Sequence, residues 1–293
     1  MKKVLFIGAE GILGNYFLKD TSGFDVLSTT YSPPSKSGNY TKYLNLDITS
    51  KTACKKILSK LDVDTVVLAA SVGNPNDCQL NKNRARKVNF IGVQNVIGAI
   101  KPITRLMYIS SSYVYSGERD MYTEEDRTTP TTYYGFTKKM SEDYIKHNHK
   151  NFIILRPSTM FGISNQKHRE TFAEHIIMNF KRKETTLAVN DCYTNFLYVR
   201  RATDLIKQII DSKIKNEIFN VAGSEYLSYY EFALKLCKAY SLDESCVKPI
   251  ENNKLNQLDL RPRKLYLNTK KVELKLNFRQ YSLNEELRFM QND

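Results

Sequence analysis

Tyr134 and Lys138 close the stretch Tyr-Gly-Phe-Thr-Lys, a spacing of one helical turn. A phenol with its ordinary pKa of about 10 is a poor proton donor at neutral pH. A lysine ammonium on the same helix face stabilises the phenolate and lowers that pKa towards the working range. Upstream, the strand-like run Arg105–Ser110 leads into Ser111 and Ser112. A serine hydroxyl at a strand end can hydrogen-bond a carbonyl oxygen on which charge develops. Near the start, Val4-Leu5-Phe6-Ile7 runs into Gly8-Ala-Glu-Gly11-Ile-Leu-Gly14. In a strand–turn–helix setting the first glycine permits a tight turn and the second lets backbone approach a pyrophosphate. The third lets the helix pack on the strand, and phosphate charge meets the helix N-terminus. Together these groups are equipped to place a hydride and a proton on a carbonyl.

Spacing alone carries little. With 19 tyrosines and 44 Lys and Arg in 293 residues, chance gives about three Tyr-x-x-x-Lys/Arg matches. A second lysine match, Tyr266-Leu-Asn-Thr-Lys270, follows no glycine loop and no serine-ended strand, and reads as structural. The glycine loop is one residue longer between its first two glycines than the G-x-G-x-x-G form. The case for Tyr134 is its position in the helix after the serine-ended strand.

The elements that must hold these groups alternate. Val4–Ile7, Asp25–Thr30, Thr65–Ala69, Arg105–Ser110 and Phe152–Leu155 read as strands. Ile12–Leu18, Lys51–Leu61, a long pattern over about 83–100, and Ser141–His147 read as helices. Strands this apolar, separated by helices, imply a parallel sheet covered on both faces and a Rossmann-like, doubly wound α/β fold. Beyond about residue 157 the pattern loosens. Glu170–Lys181, Arg200–Ile210, Ser228–Tyr240 and one closing helix near Leu283–Met290 remain, with a short strand at Ile218–Val221. The expected division is a dinucleotide-binding domain over 1–165 with a return segment over about 185–222. A smaller C-terminal substrate-binding subdomain takes 166–184 and 223–293.

Strand two ends in Ser28-Thr29-Thr30 with no carboxylate to hold a ribose 2′-hydroxyl. With Lys36 downstream, that favours NADP(H) over NAD(H). Asp47, after Tyr43-Leu-Asn-Leu46, stands at another strand end. It is either a contact for adenine or the cap of the helix starting near Ser50.

Composition bounds the rest. A hydrophobic fraction of 41% supports a sizeable core. No stretch nears the ~20 apolar residues of a membrane span, and the apolar run after Met1-Lys2-Lys3 is too short for a signal peptide. The expectation is a cytoplasmic protein with no membrane partner. Cys54, Cys78, Cys192, Cys237 and Cys246 are scattered and read as free thiols. No metal-ligand spacing is present, and His147 and His149 read as a solvated helix end. The net charge of +13 is spread along the chain. The densest run, Lys181-Arg-Lys183, ends a helical pattern, where cations suit the dipole. Nucleic acid is therefore not an expected partner.

On these motifs the chain resembles an extended short-chain dehydrogenase/reductase, close to the dTDP-4-dehydrorhamnose reductase group. The resemblance runs through the glycine loop, Ala69-Ala70-Ser71, Asp77-Cys78, Val88-Asn89, Gly92 and Asn95. It continues through Ile109-Ser-Ser-Ser-Tyr-Val-Tyr-Ser-Gly117, Tyr122-Thr-Glu-Glu-Asp126, Pro130, Tyr134–Lys138 and Glu142. Leu155-Arg-Pro157, Tyr193–Val199, Asp204, Phe219–Gly223 and Arg261-Pro262 complete it. It implies Ser111, Tyr134 and Lys138 as catalytic residues. It implies a dinucleotide lined by Gly8, Gly11, Ile12, Leu13, Gly14, Asp47, Ile48, Ala69, Ala70, Ser71 and Asn89. For the substrate, a nucleotide-diphosphate sugar, it implies Ser112, Tyr113, Asn195 and Arg261, the last near its phosphates. A homodimer is the family expectation.

Three departures bear on the substrate. Ser111-Ser112 stand where these reductases read Thr-Asp, Thr159 replaces a tryptophan, and the loop Gly73–Asp77 is one residue longer. The expected activity is NAD(P)H-dependent reduction of a nucleotide-linked 4-keto-6-deoxy sugar. An epimerase or dehydratase on the same scaffold is the nearest rival, with dehydration disfavoured by the lack of a carboxylate after Ser111. A non-catalytic nucleotide-binding regulatory subunit is the rival of another class.

Overall fold

The computed structural model describes residues 1–31, 42–164, 170–255, 258 and 261–293. Six strands, β1 (Lys2–Ile7), β2 (Phe24–Thr30), β3 (Tyr43–Asn45), β4 (Thr65–Leu68), β5 (Arg105–Ile109) and β6 (Phe152–Pro157), join a seventh, Glu217–Val221. Their order across the sheet is Glu217–Val221, β6, β5, β4, β1, β2, β3, and all pairs are parallel. The chain leaves β1 towards one edge and returns to β4 on the other side. A ligand crevice therefore opens at the carboxyl ends of β1 and β4. Every residue of β4 and β6 is buried, as a sheet covered on both faces requires. One face packs Phe6, Met107 and Ile153 against Phe17 and Leu205; the other packs Leu5, Leu68 and Ile154 against Val93 and Val96.

Six helices position the site: α1 (Ile12–Lys19), α2 (Lys51–Leu58), α3 (Pro75–Leu80), α4 (Lys82–Arg86), α5 (Gly92–Ile97) and α6 (Tyr133–Asn148). The single pattern expected over 83–100 is α4 and α5 joined by a π-helical turn at Lys87–Ile91. That wider turn carries the buried Asn89, whose carbonyl accepts from the Ser141 hydroxyl of α6 at 2.6 Å. α6 begins eight residues before the expected Ser141, because Thr132 caps it by accepting from the Gly135 N–H. His149, expected in solvent, is buried at the end of α6 and bonds the Thr104 carbonyl at 2.8 Å.

The later strands build small sheets. Thr186–Val189 pairs with Val247–Ile250, and Tyr193–Asn195 lies between Tyr226–Ser228 and Lys264–Leu265. Among the described residues of this part of the chain, Glu217–Val221 alone enters the large sheet. A helix at Lys270–Leu276 adds to the closing helix Leu283–Gln291. It places Lys270 at its first turn, while Tyr266, in the segment before it, stacks on Tyr226, so the second Tyr-x-x-x-Lys does not lie on one helix. No helix among the described residues is long and apolar enough to cross a membrane.

Candidate active site

At the end of β1 the chain turns through Gly8 at φ +94°, where a Cβ would lie 2.5 Å from the Ala70 nitrogen. Only glycine allows this close crossing of β1 and β4, which the Ala69 and Ala70 N–H groups fasten by donating to the Ile7 carbonyl. A Cβ on Gly14 would meet Ala9 backbone at 2.5 Å, so the loop and α1 are in direct contact there. Gly11 is different. The nearest atom to its hypothetical Cβ is the Gly8 carbonyl oxygen at 3.5 Å, so no described residue demands a glycine there. α1 starts beside that space with no side-chain cap and no acidic residue in its first turn. An uncapped helix start facing open space fits a diphosphate, whose oxygens would accept from the N–H groups at Ile12, Leu13 and Gly14.

The crevice walls carry the other expected contacts. Ala69, Ala70 and Ser71 follow β4 and are half-buried. Asn89 is 1% exposed, and its amide spans the Val72 N–H (2.8 Å) and carbonyl (3.0 Å) and donates to the Thr137 hydroxyl. It braces the wall from behind. Asp47 accepts from the Thr49 N–H and hydroxyl, both at 2.8 Å, while Ser50 is the cap of α2. Ile48 is buried against Gly92, where a Cβ would touch its side chain at 2.7 Å. Lys36 lies outside the described residues. Although β2 itself ends without a carboxylate, the glycine loop brings one to it: Glu10 accepts from the Tyr31 N–H at 3.4 Å.

Tyr134, Lys138 and the end of β5 meet. Lys138 is 2% exposed and its ammonium donates to the Ile109 carbonyl at 2.9 Å. It lies 5.8 Å from the centre of the Tyr134 ring and 5.0 Å from that of Tyr108. Tyr134 is half-buried, with its ring edge-on to Tyr113 at 5.8 Å. Ser111 accepts from the Tyr113 N–H at 3.2 Å, which leaves its hydroxyl hydrogen to donate. The contact that sets this geometry was missed in the sequence. A Cβ on Gly135 would fall 2.0 Å from the Tyr113 carbonyl oxygen, so α6 reaches the Ser112–Val114 turn only because residue 135 has no side chain.

Of the expected substrate contacts, Tyr113 is half-buried against the Tyr134 ring and Arg261 lines a cavity of about 680 Å³ with Ser116, Thr131 and Asn252. Ser112 and Asn195 sit deeper, each 1% exposed. The Ser112 hydroxyl is enclosed, with no hydrogen-bond partner among the described residues. The Asn195 amide donates to the Gly223 and Leu267 carbonyls and accepts from the Leu267 N–H. It stitches the small sheet to the tail rather than facing a pocket. Tyr229, not singled out in the sequence, shares a hydrogen bond with Thr159 at 3.0 Å, where a tryptophan was expected. Burial, and then the nearby Tyr113, push its phenol well above the ordinary range.

A doubly wound parallel sheet with a glycine loop at its switch point and a Tyr–Lys pair at the adjacent strand end defines a short-chain dehydrogenase/reductase architecture of the extended type. Within it, the chain belongs to the family described as the RmlD substrate binding domain, which matches residues 1–293. Among curated proteins it is 25% identical over 263 residues to dTDP-4-dehydrorhamnose reductase of Aggregatibacter actinomycetemcomitans, covering 86% of this chain and 82% of that one. It is 23% identical over 257 residues to methionine adenosyltransferase 2 subunit beta of Xenopus laevis, covering 85% of this chain and 75% of that one. A crystal structure of dTDP-4-dehydrorhamnose reductase from Bacillus anthracis in complex with NADP superposes with a TM-score of 0.88. It covers 100% of this chain and 99% of that one at 23% identity, a likeness of fold.

Proposed function

We propose that the chain is an NAD(P)H-dependent reductase of a nucleotide-linked 4-keto-6-deoxy sugar. One observation carries the reading: α6 presents Tyr134 and Lys138 to the strand end bearing Ser111, beside a glycine loop that suits a diphosphate. The reduced dinucleotide supplies the hydride when bound. Ser111 donates a hydrogen bond to the substrate carbonyl oxygen, and Tyr134 delivers its proton to that oxygen as negative charge develops. Lys138, fixed by the Ile109 carbonyl, holds a positive charge beside the phenol and favours its ionised form. Arg261 and the cavity it lines suit the substrate's diphosphate. In this reading the large sheet holds the dinucleotide, and the segments paired around Tyr193–Asn195 hold the sugar nucleotide. NADPH is the proposed donor because β2 ends in Ser28-Thr29-Thr30 without a carboxylate, with Glu10 acting against that preference. We carry the homodimer into the reading, to be checked by analytical ultracentrifugation.

The test mixes purified protein, NADPH or NADH, and a panel of nucleotide-4-keto-6-deoxyglucose substrates. Stoichiometric dinucleotide oxidation is expected with at least one; none with any member refutes the reading. Interconversion of sugars without net oxidation would identify an epimerase. The similarity to methionine adenosyltransferase 2 subunit beta favours, as a second reading, a nucleotide-binding regulatory subunit. It predicts dinucleotide binding without turnover, although this chain retains both Tyr134 and Lys138.

A further inference from the structure

One helical turn beyond Lys138, Glu142 is 1% exposed. One of its oxygens accepts from the Ser110 hydroxyl at 2.5 Å and from Arg156 Nε at 3.0 Å; the other accepts from Arg156 Nη2 at 2.7 Å. Arg156, on β6, is 2% exposed and donates through Nη1 to the Tyr115 hydroxyl at 2.7 Å. Burial by itself would lower the guanidinium pKa, but the facing carboxylate outweighs it and the pKa is raised. Replacing such a pair with apolar groups is often neutral or stabilising, so stability alone is a poor reason for it. Its location supplies another. Successive turns of α6 grip successive residues of the β5 end, Lys138 holding the Ile109 carbonyl and Glu142 the Ser110 hydroxyl. The next residue is Ser111. Ser110 is also tied to β6 through its N–H, which donates to the Leu155 carbonyl at 2.7 Å.

We propose that Glu142 is a positioning residue: through Ser110 it fixes the strand end that presents Ser111, and with Arg156 it sets the charge beneath the Tyr134 phenol. The proposal rests on the reductase reading above. Among the described residues, Lys138 of α6 and Tyr113 of the following turn lie beside the Tyr134 ring, Tyr108 of β5 lies beside Lys138, and Glu142, Arg156 and Tyr115 form one hydrogen-bonded chain beyond. The charge of Glu142 reaches this region: burial first, and then Tyr134 and Glu142, raise the Tyr108 phenol.

Two variants separate position from charge. Ser110→Ala removes one hydroxyl and leaves the Glu142–Arg156 pair intact. It is expected to lower kcat about tenfold, with KM and dinucleotide affinity unchanged and the pH profile of kcat unmoved. Glu142→Gln keeps the shape but leaves a guanidinium uncompensated. Losing the carboxylate and exposing that positive charge both favour phenolate, so the Tyr134 titration midpoint moves to lower pH by about one pH unit. ¹³Cζ NMR of tyrosine-labelled protein reads it, with the Tyr134 resonance assigned by Tyr134→Phe. Wild-type kcat in Ser110→Ala, or an unmoved midpoint in folded Glu142→Gln, overturns the proposal; should Glu142→Gln not fold, Ser110→Ala alone decides it. The titration needs no substrate. A wild type inactive on every sugar nucleotide therefore sinks the reductase reading, while the midpoint still judges the role of Glu142.

Discussion

Gly135→Ala adds one methyl group at the point where α6 meets the Ser112–Val114 turn. The new Cβ would lie 2.0 Å from the Tyr113 carbonyl oxygen and 2.9 Å from the Tyr113 carbonyl carbon and Pro130 Cβ. Ordinary contact begins at 3.4 Å, so the closest approach falls 1.4 Å short. Backbone atoms are involved, and no rotamer change can relieve the overlap. Either α6 or the turn must move by about an ångström. The residues displaced are Tyr134, immediately before the substitution, and Ser111, the cap of the turn. Misplacing reacting groups by about 1 Å can cost roughly 100-fold in rate, and overpacking a tight contact costs about 1–3 kcal/mol in stability. The expected outcome is a folded protein, a few degrees less stable, that binds dinucleotide as the wild type does and loses about 100-fold in kcat. Calorimetry, dinucleotide fluorescence and steady-state kinetics read the three effects. Wild-type kcat and melting temperature would refute the claim that this contact sets the catalytic geometry.

Three further outcomes follow from the same structure. Tyr134→Phe should retain dinucleotide affinity and lose between about 100-fold and 10,000-fold in kcat, the usual worth of a general acid; near-normal turnover removes the phenol from the mechanism. Glu10→Gln, by deleting the carboxylate at the end of β2, should raise the NADPH-to-NADH ratio of kcat/KM about fivefold, and an unchanged ratio would place Glu10 outside the 2′-position. Glu286 is 3% exposed, and burial pushes its carboxyl up to about 8 against the pull of Arg201. Its folded pKa lies above the unfolded 4.5, so the folded state keeps a proton that the unfolded state releases. Stability therefore falls as pH rises from about 4.5 to about 8 and levels off above. Glu286→Gln should match wild type near pH 4.5 and melt several degrees higher at pH 8, whereas parallel melting profiles would contradict the burial argument.

Local pattern in the sequence determined a good deal here. Apolar runs separated by helical periods report which face of each element avoids water, and that was enough for a parallel sheet and its switch-point crevice. The glycine loop and the Tyr134–Lys138 turn were legible because both are short-range: a turn, a helix start and an i, i+4 pair involve only neighbouring residues. What tertiary structure decided is where polar groups find partners. Asn89 turns inward to Val72, 17 residues away, and Asn195 to Gly223 and Leu267, 28 and 72 residues away. Both look in the sequence like ligand contacts, since an amide that braces backbone and one that faces a pocket have the same spelling. The π turn at Lys87–Ile91, the carboxylate that Glu10 brings to β2, and the need for glycine at 135 belong to the same class. Periodicity encodes a direction relative to solvent, and it carries no record of which distant backbone atom lies opposite; only the packed chain supplies that.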